Sequence, residues 1–313
     1  MGKIFMYPTE NKFGIDEFRR LKKVLAHRPD TSIRLITKDN YKYFLFEFQP
    51  DVDEYLQEHN KYSHLLKSHN VEVYELSQYV HRNSDLLNRL PNLAYMHDIA
   101  VASKHGAILS KMSSGGRQHE ELVVREAFQN MGMPILYEFS EGDQFESFLI
   151  LSSQTIFIAN TERHSANSIK KFIQFMLGYY EEIIYVEVPQ ERRFMHADMF
   201  CSRMTQNLII AYLPAFLKSW HITHKGQEEI DFKQFMKSRM IDIISISDDE
   251  QRKWGCSFVA LEPGVIINYD ISLNQQTINT LEHEGIKFIH FHPEALLAGG
   301  GSLRCLTFKM WRE

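Results

Sequence analysis

The feature that most restricts the fold of this chain is a recurring order of elements. Apolar alternating runs lead into a helical stretch and then another apolar run, with no Pro/Ser-rich or low-complexity linker to interrupt the series. Leu21 to Pro29 reads as a strand stopped by Pro29. A helix follows from about Val52 to His69, with Tyr55, Leu56, Tyr62, Leu65 and Leu66 as its apolar positions and Asn70 placed to cap it. Val71 to Leu76 then alternates like a strand with one buried face. The order returns with a helix over Glu120 to Gln129 and a strand over Met133 to Tyr137. Phe148 to Leu151 and Ile156 to Ala159 form a hairpin, with a helix from about Ser165 to Tyr179 after it. A second hairpin, Phe258 to Leu261 with Val265 to Tyr269, precedes a helix near Gln275 to Glu284 and a strand over Ile286 to Ile289. The repetition is one of element order, not of residues. It predicts a single α/β domain over residues 1–313, assembled from similar hairpin-plus-helix modules whose loops converge on a site.

Composition narrows the classes of function. The chain is 44% hydrophobic and 24% charged with a formal net charge of -5, which suits a substantial core and offers no electrostatic case for nucleic acid. No apolar stretch reaches the roughly 18 residues needed to span a bilayer, and the apolar part of Met1 to Pro8 is too short for a signal peptide. Cys201, Cys256 and Cys305 are odd in number and lack a CxxC pair, which argues against a disulfide framework or a zinc site. The expectation is a reduced, cytoplasmic protein with no nucleic-acid or membrane partner, no metal and no cofactor. Oligomeric state is left open, with a homodimer as one arrangement.

Several stretches carry chemistry. Near the C-terminus, Gly299-Gly300-Gly301-Ser302-Leu303-Arg304-Cys305 places one cysteine behind a glycine entrance, ahead of a short apolar run that reads as a buried strand. A core strand needs no such entrance, whereas a nucleophile at a sharp turn does. In Met195 to Phe200, His196 and Asp198 stand two apart, so a strand would direct both to one face. His196 can supply acid/base chemistry near neutrality, and Asp198 can hold a cation or orient a base. Asn92 to Val101 reads as an aromatic and apolar strand interrupted by His97-Asp98. A carboxylate among apolar residues is costly unless paired, so Asp98 requires an internal base or a cationic ligand. Arg117 lies in a glycine-flexed entry to a helix and Arg163 just after a hairpin; two such arginines suit a substrate carboxylate, and each alone also suits an ordinary ion pair. Glu138 to Glu146 is a carboxylate-rich loop.

Taken in order, these stretches resemble arginine deiminase and the wider guanidino-group-modifying (amidinotransferase) superfamily of pentein fold. Asn92 to Asp98 is similar to N-L-x-F-T-R-D, Met112 to Glu121 to M-x-R-x-x-E, and Thr161 to Ser165 to S-E-R-T-S. Met195 to Phe200 resembles M-H-L-D-T-x-F, Ala260 to Asp270 resembles L-x-P-G-V-x-x-Y-D, and Gly299 to Thr307 resembles G-R-G-G-P-R-C-M. Glu58-His59-Asn60 to Leu76 resembles the family's EHD-to-GVEV helix and strand.

The resemblance implies a pentein α/β-propeller with five-fold pseudosymmetric ββαβ modules around a central active site. It implies hydrolysis of L-arginine to citrulline and ammonia through a covalent thiouronium on Cys305. His196 would be the acid and base, Asp98 and Asp198 would clamp the guanidinium, and Arg117, Arg163 and Asn92 would bind the rest of the substrate. Glu141, in Glu141-Gly142-Asp143, would orient His196 as the family's E-G-G-D glutamate does; an alternative register puts Glu146 there. On the same site chemistry, amidino transfer, arginine dihydrolysis to ornithine and methylarginine hydrolysis are rival outcomes, and a non-catalytic pentein is a rival of another class. The chain also departs from the pattern. The helical insertion is replaced by a short connector, Ser77 to Leu90, and T-R-D becomes Met96-His97-Asp98. The arginine of G-R-G-G is Gly300, and Cys256-Ser257 stands where an Asn is usual.

Overall fold

The computed structural model describes residues 13–14 and 19–313; the stretch Met1 to Pro8, considered above as a leader, lies outside them. The chain runs from β1 (Leu21–Ala26) through the helix Val52–Ser68 to β2 (Glu72–Glu75). β3 (Ala100–Ser103) and β4 (Gly106–Leu109) form a hairpin, and the helix Glu120–Met131 leads to β5 (Ile135–Glu138). β6 (Leu149–Ile150), β7 (Thr155–Asn160), the helix Ala166–Met176 and β8 (Glu182–Glu187) repeat the order. β9 (Cys201–Thr205) and β10 (Leu208–Ala211) are followed by an inserted hairpin, β11 (Lys218–Thr223) and β12 (Gly226–Ile230), then the helix Phe232–Ser238 and β13 (Asp242–Ser245). β14 (Val259–Glu262), β15 (Val265–Tyr269), the helix Gln275–His283, β16 (Lys287–Phe291) and β17 (Phe308–Arg312) complete the series.

Among the described residues these strands form five sheets. Each contains an antiparallel pair whose second strand is joined in parallel to a strand reached through a helix: β3-β4-β5, β6-β7-β8, β9-β10-β13, β14-β15-β16 and β17-β1-β2. In the last, the C-terminal strand pairs with the first, so the two ends of the chain lie in one sheet. The inserted β11-β12 hairpin pairs with β8 and widens its sheet to five strands. No strand was expected there, because Gly226 to Ile230 is almost wholly polar and exposed, without the apolar alternation that marks a buried face.

Four of the long connecting helices begin on a side-chain cap. Asp51, Ser165, Asp231 and Asn274 each accept the backbone N–H three residues on, satisfying a donor the helix leaves free. The exception, Glu120–Met131, starts at His119 in the left-handed region (φ 77°) with no side-chain cap. Leu45 (φ 60°) and Ser147 (φ 57°) share that sparsely allowed conformation. All three lie in segments that frame the site described below, where such strain tends to collect. Buried Glu58 of the first helix accepts the backbone N–H groups of Glu294, Ala295 and Leu296, tying that helix to the start of the C-terminal glycine segment. Among the described residues Glu58 also makes, with Glu54 and Glu294, the one carboxylate trio close enough to hold a cation. No helix among them is long and apolar enough to cross a membrane.

Three expected strands begin later than the site residues that were placed on or beside them. Asn92 to Ile99 forms a 3-10 turn (Pro91–Ala94) and a helical turn (Met96–Ile99), with β3 beginning only at Ala100. His196 precedes a 3-10 turn (Ala197–Met199), and β9 starts at Cys201. Cys305 lies in a turn, and β17 starts at Phe308. The physical reason is common to all three: the residues are buried on every side, so their apolar character carries no period from which to tell a turn from a strand.

Candidate active site

The chemistry-bearing residues occupy one topological position. Asp98 precedes β3, Glu146 precedes β6, His196 and Asp198 precede β9, Ser257 precedes β14 and Cys305 precedes β17. Each sits in the turn that enters the first strand of its sheet, so the repeated architecture brings five distant segments together.

Cys305 is buried. Its carbonyl accepts the His97 backbone N–H at 3.0 Å, which fixes the cysteine turn against the turn that carries Asp98. The glycine entrance is required sterically: a Cβ on Gly299 would stand 1.4 Å from the Tyr95 hydroxyl, and Gly300 adopts φ +68°. Burial, followed by the negative charges of Asp98 and Asp198, pushes the Cys305 thiol well above its ordinary range.

His196 is almost fully enclosed, with Nε2 3.0 Å from Glu146 Oε2 and Nδ1 3.5 Å from Asp98 Oδ1. An ionised carboxylate only accepts, so Nε2 carries hydrogen and Nδ1 is the nitrogen that exchanges a proton. Burial pulls the imidazole down, but Asp98, Glu146 and Asp198 outweigh it and raise its pKa above the ordinary value. Burial pushes Glu146 in the opposite direction, yet the bond from His196 and the charge of Arg163 hold it far below the usual carboxylate range. Its other oxygen accepts the backbone N–H and hydroxyl of Ser113, both at 2.9 Å.

This places the His196 partner five residues from the expected Glu141, which lies exposed in the turn Glu141-Gly142. Glu146, the glutamate of the alternative register, is the one in contact with His196. Phe145 buries itself against His164, with stacked rings 4.3 Å apart. Ser147 then reverses the chain, and Glu146 between them faces inward.

Arg117 also differs from expectation. It is buried, with Nη1 2.6 Å from Asp98 Oδ2 and Nη2 2.9 Å from Glu120 Oε2, while Nε donates to Glu120. Its planar fork is thus engaged by two internal carboxylates and is not presented to a substrate carboxylate. Burial pushes Glu120 up to about 7 against the pull of Arg117. Asn92 is anchored likewise, donating to the Phe44 carbonyl at 2.7 Å. Arg163 is held more loosely, with Nε 3.2 Å from Glu162 Oε1, Nη1 3.8 Å from Glu146 and Nη2 3.5 Å from the Met195 sulfur. Beside it stands a residue the sequence reading did not single out: Arg192, half-exposed, 2.5 Å from the Leu45 carbonyl and 3.2 Å from Glu47. No motif in the sequence marks Arg192, and only the fold brings it to the site.

His97 replaces the arginine of the family pattern. It accepts from Arg304 Nε at 3.2 Å and lies 3.4 Å from Lys309 Nζ. Burial and these two cations push it far below its ordinary pKa, so it is neutral. Arg304 in turn lies 3.5 Å from Asp198 Oδ2.

Asp98, Arg117, Arg163, Arg192, Met195, Gly299 to Gly301 and Cys305 line a cavity of about 20 Å³. That is room for about one water. Within the site, Asp98 Oδ1, Asp198 Oδ1 and His196 Nδ1 are buried and make no hydrogen bond. Two anionic acceptors and a proton-exchanging nitrogen beside a thiol form a site for a cation able to donate several hydrogen bonds and open to nucleophilic attack.

Comparison with known proteins gives a consistent picture. The sequence model of the family described as arginine deiminase matches residues 77–312. The arginine deiminase of Mycoplasma capricolum is 22% identical over an alignment covering 97% of this chain and 98% of that protein. That of Borrelia garinii subsp. bavariensis is 23% identical, covering 95% and 97%. Among solved structures, the N-terminal domain of ArgZ covalently bonded to a reaction intermediate superposes with a TM-score of 0.71 at 15% identity, covering 92% of this chain and 97% of that one. Unliganded AgrE gives 0.72 at 16% identity, covering 94% of this chain, which spans 40% of AgrE. These structural likenesses establish the fold.

Proposed function

The chain belongs to the arginine deiminase family and is a guanidine-modifying hydrolase, and on that premise we propose that it converts L-arginine to L-citrulline and ammonia through a covalent intermediate on Cys305. The observation that carries this reading is the set of buried unpaired atoms on Asp98, Asp198 and His196 around the thiol. A guanidinium is planar, permanently charged and rich in N–H donors. Asp98 and Asp198 hold it, and its charge offsets the two carboxylates that keep the thiol protonated. The thiol proton passes to His196 Nδ1, and the thiolate adds to the guanidinium carbon. His196 returns that proton to the departing nitrogen, which leaves as ammonia and yields a thiouronium. A water then gives one proton to His196 and adds to the same carbon; collapse expels the sulfur, which recovers its proton from the added hydroxyl, and citrulline leaves while His196 passes its proton to the released ammonia. Glu146 holds the imidazole in the orientation and tautomer these transfers need. Arg117 stays on Asp98 and Glu120 and positions the carboxylate clamp.

The reading assigns recognition of the substrate's own carboxylate to Arg163 with Arg192, in place of the Arg117 and Arg163 pair. The repeated connection of the five sheets supports arranging residues 1–313 as one pentein propeller domain around this site. The test is product analysis by mass spectrometry with L-arginine, agmatine and methylarginines. Citrulline from arginine is expected, whereas ornithine would change the reaction to dihydrolysis and turnover of methylarginines alone would change the substrate. Arg192→Gln is expected to lower kcat/KM for arginine by about tenfold, the scale of a hydrogen bond between charged groups, while agmatine, which lacks the carboxylate, changes little. Equal losses on both would remove Arg192 from carboxylate recognition.

A further inference from the structure

Two buried serines link the nucleophile to the carboxylate clamp. Ser257 Oγ lies 2.6 Å from Asp198 Oδ2 and 2.6 Å from Ser302 Oγ, and Ser302 Oγ lies 3.7 Å from Cys305 Sγ. All four side chains are buried, so water does not compete along the chain. Its polarity is determined at one end. An ionised Asp198 accepts only, so Ser257 donates to it, Ser302 donates to Ser257, and the Cys305 thiol donates to Ser302. The Arg304 backbone N–H, 3.1 Å from Ser302 Oγ, fills that hydroxyl's remaining acceptor position. In this polarity the thiol's own hydrogen is part of the network.

Once the thiol has lost its proton, the opposite polarity serves the thiolate. Ser257 then donates to Ser302 and Ser302 donates to the thiolate, while Asp198 gives up one donor. A guanidinium bound through the free Asp198 Oδ1 offsets the carboxylate's charge, and Arg304 Nε stays 3.5 Å from Oδ2, so the Ser257 donor is released. Resting on the guanidine reading above, we propose that Ser257 and Ser302 form a reversible hydroxyl chain that couples occupation of Asp198 by a cation to stabilisation of the Cys305 thiolate. Each hydroxyl rotates and keeps its own hydrogen; the thiol proton goes to His196 Nδ1, so no further acid or base is required. Ser257 and Ser302 are positioning residues: they act on Cys305 through hydrogen bonds and exchange no atom with the substrate.

The test compares alkylation of Cys305 by 2-chloroacetamidine, a cation shaped like the guanidinium end of a substrate, with alkylation by its neutral isostere 2-chloroacetamide. Rates are measured across pH in wild-type protein, Ser302→Ala and Ser257→Ala, with modification located by peptide mass spectrometry. In the wild type the thiol is expected to titrate at lower pH towards the amidine than towards the amide. In Ser302→Ala the amidine profile should move up by about one pH unit, the scale of one charge-assisted hydrogen bond, and the amide profile should move much less. Ser257→Ala should shift the amidine profile in the same direction by less, because Ser302 still reaches the thiolate. Unshifted profiles in both variants, or equal shifts for both reagents, would overturn the coupling while leaving the guanidine reading intact. Wild-type protein that reacts no faster with the amidine than with the amide at neutral pH would overturn both.

Discussion

Replacing Cys305 by alanine is expected to lower kcat/KM for guanidine hydrolysis at least about a thousandfold, because every bond change proceeds through its sulfur. The alanine fills a turn that Gly299 and the His97-to-Cys305 backbone bond already fix, so the variant should retain the wild-type circular dichroism and melting profile. Cys305→Ser separates nucleophile from packing more finely. Its hydroxyl is far harder to ionise than a thiol, and a serine variant with full turnover would remove Cys305 from the chemistry. The other cysteines provide the control. Burial holds the Cys201 and Cys256 thiols well above their ordinary range, so neither should take over.

Glu146→Gln is expected to lower kcat by about 10²- to 10⁴-fold, the range seen when the carboxylate that fixes a catalytic imidazole becomes an amide. Glu141→Gln should stay within about twofold of wild type, the usual result for an exposed side chain away from a site. The pH profile gives an independent reading. Glu146 is among the charges that raise the His196 pKa, so its removal should move the loss of protonated His196 to lower pH. Stability should follow the sign of the Glu146 shift. A carboxylate whose folded pKa is depressed contributes stability above its unfolded pKa and loses it as pH falls. Acid destabilisation should therefore be shallower in the glutamine variant, measured by urea unfolding across the acidic range. An Glu141→Gln variant that lost activity as Glu146→Gln does would contradict the observed pairing.

Helices were legible in the sequence where one face is buried and the other wet, and two hairpins, though buried almost throughout, were legible because turn residues bound their short apolar runs. Val52–Ser68, Glu120–Met131 and the β6-β7 and β14-β15 hairpins lie where apolar spacing puts them. The site residues were legible by type and motif order, and Asp98, His196, Asp198 and Cys305 do converge. What was not legible depends on contacts between distant segments. The choice between Glu141 and Glu146 is made by Phe145 packing on His164 and by the reversal at Ser147. The retention of Arg117 by Asp98 and Glu120 cannot be read from spacing, because a glycine-flexed arginine at a helix start suits a ligand and an ion pair equally. Arg192 lies outside the quoted motifs and Ser302 has no assigned role within its own, and both gain significance only from what the fold sets beside them.

The most direct measurement is the intact mass of the protein quenched in acid during turnover of L-arginine, followed by peptide mapping. The expected result is an amidino adduct of arginine on the peptide containing Cys305, retaining the arginine skeleton with ammonia lost, and absent from Cys305→Ala. Steady release of citrulline with no adduct under any quench, and with turnover preserved in Cys305→Ala, would contradict covalent catalysis by Cys305.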